Sequence, residues 1–159
     1  MVLENFSCTT EIPRSPQGRR LQHPKPWERE VQSHFRQCSK RFKNGDLVLI
    51  GQDVVSEEIV SAAHLIFGEH STSVFLSHIA AVGVCTAVRG QGGKLADSTL
   101  RDAFDVIVEK MRLEGLGSGV ATANIHTRNL PSQSLFERLG FEPMSVPIGE
   151  YQKWICRVL

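Results

Sequence analysis

The stretch Val84–Phe104 reads VCTAVRGQGGKLADSTLRDAF. A run of small and β-branched residues meets Arg89, then Gly90, Gly92 and Gly93, then a pattern of helical period. A strand that ends in such a corner and opens directly into a helix gathers backbone N–H groups and the positive end of a helix dipole in one place. That combination suits an anion, often a phosphate. On these residues alone, a glycine turn that merely caps a helix explains the corner as well.

Two common phosphate motifs fail here. A P-loop needs glycine five positions before the Gly–Lys pair and a hydroxyl residue after it, and this chain has Val88 and Leu95 there. A dinucleotide fingerprint starting at Gly90 would need a small residue where Leu95 stands.

Around the corner the pattern is that of a mixed α/β chain. The first 26 residues, with prolines at 13, 16, 24 and 26, read as an extended arm after a short strand at Val2–Ser7. Trp27 to Phe42 carries apolar residues at helical spacing and stops at KNGD. Asp46–Asp53, Glu57–His70 and Ser73–Val88 read as a meander of antiparallel strands. Leu95, Leu100, Ala103, Ile107 and Met111 then trace one helix face as far as EGLGSG. Val120–Thr127 is a strand, and NLPSQSLFERLG is a short helix with Asn129 as N-cap candidate and Gly140 closing it. EYQKWICRVL ends the chain as a strand.

The segment VCTAVRGQGGKL, followed by NLPSQSLFERLGF, resembles the paired signature of the GNAT superfamily of acyl-CoA-dependent N-acetyltransferases. Its patterns are V-x-P-x-x-[RQ]-G-x-G-x-[GA] and N-x-x-A-x-x-L-Y-x-x-x-G-F. They fall on Val84–Lys94 and Asn129–Phe141, and the looser likeness runs from Asp46 to Leu159. The resemblance implies an α/β fold with a mixed, largely antiparallel central sheet, splayed middle strands and flanking helices. It implies acetyl-CoA as co-substrate, a primary amine of a small molecule or a protein as acceptor, and no metal. Val82, Gly83 and Val84 would pair by backbone with the pantetheine arm. Backbone amides from Arg89 through Gly90, Gln91, Gly92 and Gly93 to Lys94 would cradle the pyrophosphate, and the Asn129 side chain would reach the pantetheine. Homodimers are common in that superfamily, although nothing in this sequence marks one.

Three positions depart from the pattern. Lys94 replaces a small residue. Phe136 stands where the family often has a tyrosine that protonates the leaving thiolate. Asn124 stands where members acting on ribosomal protein N-termini carry a glutamate. An acceptor ammonium must still lose a proton before it can attack. His78, on the strand before the corner, is the candidate base, matching a histidine of arylalkylamine acetyltransferases; it also reads as a hydrogen-bonded strand residue. His64 and His126 lie in strands that could face the same cleft, Glu57 and Glu58 read as solvated turn charges, and Tyr151 as a packing residue. The alternative function is a non-catalytic acyl-CoA-binding module with the same cleft.

Bulk properties agree with one domain spanning 1–159. A length of 159 residues with 41% hydrophobic and 22% charged residues suits one globular unit. A net charge of +1 gives no electrostatic case for nucleic acid or a membrane surface. The N-terminal residues lack the pattern of a signal peptide, so a cytoplasmic protein is expected. Cys8, Cys38, Cys85 and Cys156 show neither CxxC spacing nor a zinc motif.

Overall fold

The structure is a computed structural model that describes residues 3–12, 14–68, 73–90 and 93–159. Its elements run α1 (Pro26–Arg41), β1 (Leu47–Gln52), β2 (Ile59–Phe67), β3 (Phe75–Val84), α2 (Lys94–Leu113), β4 (Gly119–His126), α3 (Leu130–Glu137), β5 (Glu142–Pro143) and β6 (Tyr151–Val158). A single 3-10 turn, Thr86–Val88, follows β3. The six strands form one sheet in the order β1-β2-β3-β4-β6-β5. β3 and β4 pair parallel and every other pair is antiparallel. The parallel pair requires a crossover, which α2 supplies.

Strand alternation separates two cores. Ala63 joins the cluster under α2 and α3, with Leu100, Ile107, Phe136 and Trp154. Its neighbour Ala62 faces the other way, into a cluster with Phe35 of α1 and Leu3, Phe6 and Cys8 of the N-terminal arm. Each long helix is set by its ends. Pro26 and Glu28 open α1. Gly93 caps α2 in the left-handed conformation (φ 73°), and Lys110 and Arg112 sit at its negative end.

The pairing between β2 and β3 slips where His64 lies opposite Ala81 but Leu65 opposite Ile79, leaving Ala80 as a β-bulge. The extra residue reverses which side chains face which core. Ile79 belongs with the α2 side, and beyond the bulge Ala81 turns to the α1 side while Val82 packs on the α2 side. Parallel pairing with β4 ends at Ile79↔Ala123, although β3 continues to Val84 and β4 to His126. The two middle strands therefore splay from the bulge onward.

The expected strand at Val2–Ser7 is not formed over its described residues. Leu3 and Phe6 are both buried and close a turn through the Phe6 N–H to the Leu3 carbonyl at 3.2 Å. A spacing of three on a turn points both side chains inward, which an alternating strand would not. The arm is docked throughout much of its length. Gln32 of α1 accepts from the Cys8 and Thr9 amides at 2.9 and 3.2 Å, and buried Thr9 Oγ1 meets His23 Nε2 at 2.8 Å. β5 was not foreseen in the sequence, since two residues carry no period.

Burial pushes the Cys8 thiol from an ordinary 9.0 up to about 11. The unfolded chain therefore ionises this thiol first, so stability is full below pH ~9 and falls as pH rises toward ~11. Urea midpoints across that window should decline more steeply for the wild type than for Cys8→Ala. Parallel slopes would place the thiol in a wetter setting than this packing.

Candidate functional site

The splay opens into a cavity of about 1170 Å³ bounded by α1, the free halves of β3 and β4, and the first turns of α2 and α3. This is ample for a large ligand and a second, smaller one. His78, Val82, Gly83 and Val84 line it from β3, and Arg89, Gly90, Gly93 and Lys94 from the glycine corner. Asn129 lines it from the start of α3. Gln91 and Gly92 lie outside the described residues. The structure thus brings the described residues expected at the co-substrate site, and His78, to one cavity; His126 also lines it, whereas His64 does not.

Their backbone and side-chain roles are not equal. The Cys85 N–H donates to Val60 O at 2.8 Å, so in an antiparallel pair the alternate residue Gly83 also directs its N–H and C=O to β2. Val82 and Val84 then direct theirs across the slot, where β4 has departed. Gly83 has a different reason to be small. A Cβ there would stand 3.0 Å from Phe6 and 3.1 Å from Phe35, so the missing side chain makes room for the two rings.

At the corner, the first-turn amides of α2 have no acceptor within the helix, and exposed Lys94 adds a full positive charge. Arg89 does not contribute its charge to the corner. Its guanidinium donates to Glu28 at 2.7 Å, to Val84 O at 3.2 Å and to the Cys8 carbonyl. Its own N–H closes the turn onto Thr86 O at 3.4 Å. Arg89 is thus the pin that fastens the N-terminal arm to the corner. Asn129 caps α3, accepting from Ser132 N–H at 3.3 Å, with Nδ2 donating to Ser132 Oγ at 2.7 Å.

His78 is half-buried and shares a 2.9 Å hydrogen bond between Nδ1 and Thr122 Oγ1. Burial first, and then the Lys153 ammonium, hold its pKa below the ordinary histidine value. The ring is therefore neutral at neutral pH. Phe136 is buried on the cavity wall and packs edge-on to Phe141 at 5.0 Å, an apolar surface with no proton to give.

Sequence reading under-read two groups, although it named His126 and His64 as strand histidines that could face the cleft. Tyr151, read as packing, lines the cavity and donates its hydroxyl to Glu30 of α1. Burial and that carboxylate push its pKa upward, so it stays protonated. His126 is buried between Trp27 at 4.7 Å and Tyr151 at 5.2 Å, with Nδ1 accepting from Arg128 N–H at 3.1 Å. The second group is His34 of α1, which lines the cavity with buried His64 behind it. His34 Nε2 and His64 Nδ1 are 2.8 Å apart, and His64 Nε2 lies 3.3 Å from Asp46 Oδ2. No local spacing in the sequence signals residues at 34, 46 and 64 as one cluster; β1–β2 pairing and α1 docking create it. Among the described residues no group of side chains is arranged to hold a metal ion. None of their helices is long and apolar enough to cross a membrane.

No family model and no curated protein matches the chain. Solved structures do. The AtaT toxin bound to the C-terminus of the antitoxin AtaR and acetyl-CoA superposes with TM-score 0.61 at 13% identity, covering 98% of this chain and 84% of that one. A GNAT-family acetyltransferase from Streptococcus pneumoniae gives 0.56 at 10% identity, with 83% and 77% covered. PaiA N-acetyltransferase from Thermoplasma acidophilum, in complex with coenzyme A, gives 0.53 at 11% identity, with 82% and 71% covered. These identities are too low to carry an activity across and the likeness is one of fold: the chain has the GNAT acetyltransferase fold.

Proposed function

We propose that this chain is a cytoplasmic, acetyl-CoA-dependent N-acetyltransferase that moves an acetyl group to a primary amine by direct attack in a ternary complex. The observation that carries the reading is the slot beyond Ile79↔Ala123, with unpaired backbone groups of β3 on one wall and the start of α2 at its end. The residues present fit the co-substrate. Val82 offers its N–H and C=O, and Val84 its N–H, to the amide-bearing pantetheine arm, while the Val84 carbonyl already accepts from Arg89 Nε at 3.2 Å. The amides of Gly90, Gly93 and Lys94, together with the Lys94 ammonium, offer a cradle for the pyrophosphate. Asn129 stands where the pantetheine would pass.

In the reaction, the neutral amine nitrogen attacks the thioester carbonyl, a C–N bond forms, and the C–S bond breaks to release CoA. A β3 amide facing the slot would stabilise the oxyanion. A cavity imidazole, His78 on the sequence reading, or a water would accept the amine proton. Phe136 offers no proton to the departing sulfur, and a thiolate, whose ordinary pKa is about 8.5, leaves adequately without one.

Calorimetric titration of acetyl-CoA into the wild type and Lys94→Glu tests this. The variant reverses a charge on the corner, and affinity is expected to fall about tenfold, or 1.4 kcal/mol. A glutamate in the first turn suits the helix dipole, so the melting temperature should hold or rise. Absence of wild-type binding would overturn the proposal, and equal binding by both proteins would remove the corner from it. Phe136 favours the second reading, a module that binds acyl-CoA without turnover. A panel of amines separates the two, since the enzyme must release free CoA with some acceptor.

A further inference from the structure

Trp27 of α1, His126 of β4 and Tyr151 of β6 follow one another along the cavity wall, with ring centroids 4.7 and 5.2 Å apart. Glu30, three residues after Trp27 and so on the same face of α1, lines the cavity as well. The Tyr151 hydroxyl donates to Glu30 Oε2, and at the other end of the row the Arg128 guanidinium lies over Trp27 at 5.6 Å. The row thus ends in a carboxylate on one side and a cation on the other. Glu28 also lines the cavity, but it is neutralised by Arg89 at 2.7 Å and Lys25 at 3.6 Å. Glu30 is exposed, makes no ion pair among the described residues, and holds a phenol instead. Burial of the ring, then Glu30 and Glu150, push the Tyr151 pKa up, so the phenol remains a neutral donor and brings no compensating charge. A carboxylate offers about four lone-pair sites, and one hydroxyl fills one of them.

We propose that Glu30 determines the specificity of the acceptor site, and that the acceptor is a small aliphatic amine carrying a second cation, which Glu30 binds. The inference rests on the acetyl-transfer reading and deepens it. Sheet order separates the second cation from the reacting nitrogen. The co-substrate arm is held on β3, and β4 stands between β3 and β6. Two strand spacings come to ~10 Å, and the splay beyond Ile79↔Ala123 widens them at the end where Tyr151 faces His126. A nitrogen at the thioester and a cation at Glu30 therefore sit at opposite ends of an aliphatic chain. Its methylenes would lie along the rings of His126 and Tyr151, and the π-face of Tyr151 adds attraction for the ammonium at its end. Arg128 repels a cation from the Trp27 end of the row, which leaves the Glu30 end as its place. Tyr151 is a positioning residue, whose hydroxyl fixes one oxygen of a side chain that would otherwise sample several rotamers.

The test sets hexylamine against hexamethylenediamine as acceptors for the full chain under saturating acetyl-CoA. The two share the reacting amine and the methylene chain, and only the diamine carries the distal ammonium. Its KM is expected to be about tenfold lower at similar kcat. Glu30→Gln should raise the diamine KM to the hexylamine value and leave kcat and both hexylamine constants as they are, a split that a merely structural role would not give. Tyr151→Phe should raise the diamine KM about threefold, again with kcat held. Calorimetric titration of the diamine into the coenzyme A complex makes the same comparison without turnover, and Glu30→Gln should bind it about tenfold more weakly. A wild type that treats the two amines alike, a wild type that binds acetyl-CoA and turns over neither, or a Glu30→Gln variant that keeps the preference would overturn the proposal but not acetyl transfer itself. Failure of the wild type to bind acetyl-CoA would instead remove the acetyl-transfer reading, and the acceptor role of Glu30 with it.

Discussion

Gly83→Val is expected to destabilise the protein by about 3 kcal/mol, Phe35→Ala by about 4 kcal/mol, and the double variant by clearly less than their sum. Phe35 is fully buried and packs edge-on to Phe6 at 5.4 Å, so deleting its ring leaves a void in the smaller core. A side chain at Gly83 enters that same space, at 3.0 Å from Phe6 and 3.1 Å from Phe35. One substitution overfills the site and the other empties it. Their combination relieves the contact with Phe35, although the one with Phe6 remains. Urea denaturation of the four proteins gives the coupling energy, and at least ~1 kcal/mol in favour of the pair is expected. Additive effects would show that Gly83 is small for another reason, such as close approach of a ligand.

Gly83 illustrates how the sequence and the fold divide the information. Val82, Gly83 and Val84 form one undifferentiated group in the sequence, because an apolar run has no marker for which N–H points where. The phase is set by the bulge at Ala80 and by the Cys85-to-Val60 hydrogen bond, both consequences of pairing with β2. The corner itself was legible because glycine and the helix start are local signals. The read helix Trp27–Phe42 corresponds to α1, and of the face read as Leu95, Leu100, Ala103, Ile107 and Met111 the last four are buried in α2, while Leu95 is half-buried on the cavity.

Side chains that act at a distance were less legible. Arg89 sits in the motif, but its partners are Glu28 and the Cys8 carbonyl, far away in the chain. An arm rich in proline and basic residues gave no sign of docking, because its anchors Leu3, Phe6 and Cys8 are too few and too irregular to form a period. Tyr151 was read as a packing residue on strand character alone. Its place on the cavity depends on β6 pairing with β4 in the register His126↔Tyr151, which brings the phenol to the splayed end of the sheet.

The same dependence on pairing makes Gly119 a sensitive position, and Gly119→Val is expected to cost about 3 kcal/mol and to weaken acetyl-CoA binding as well. Gly119 opens β4 opposite Phe75, the first pair in the parallel ladder. A Cβ there would stand 3.0 Å from Met111 Sδ, from Phe75 Cβ and from Phe75 O. Methionine can swing aside, but the Phe75 carbonyl belongs to the backbone of a central strand and can yield only by moving β3 from β4. The ladder from Phe75↔Gly119 to Ile79↔Ala123 is short, and its far end is where the slot begins. A wedge at the near end therefore changes both the strength of the ladder and the shape of the opening beyond it. Gly117→Val is the control. A Cβ at Gly117 meets nothing within 4 Å and its φ is not in the left-handed range, so a change within about 0.5 kcal/mol and unaltered binding are expected. If Gly119→Val lost stability but bound acetyl-CoA as the wild type does, the slot would be held open by the helices on either side, and the β3–β4 ladder would be a matter of stability alone.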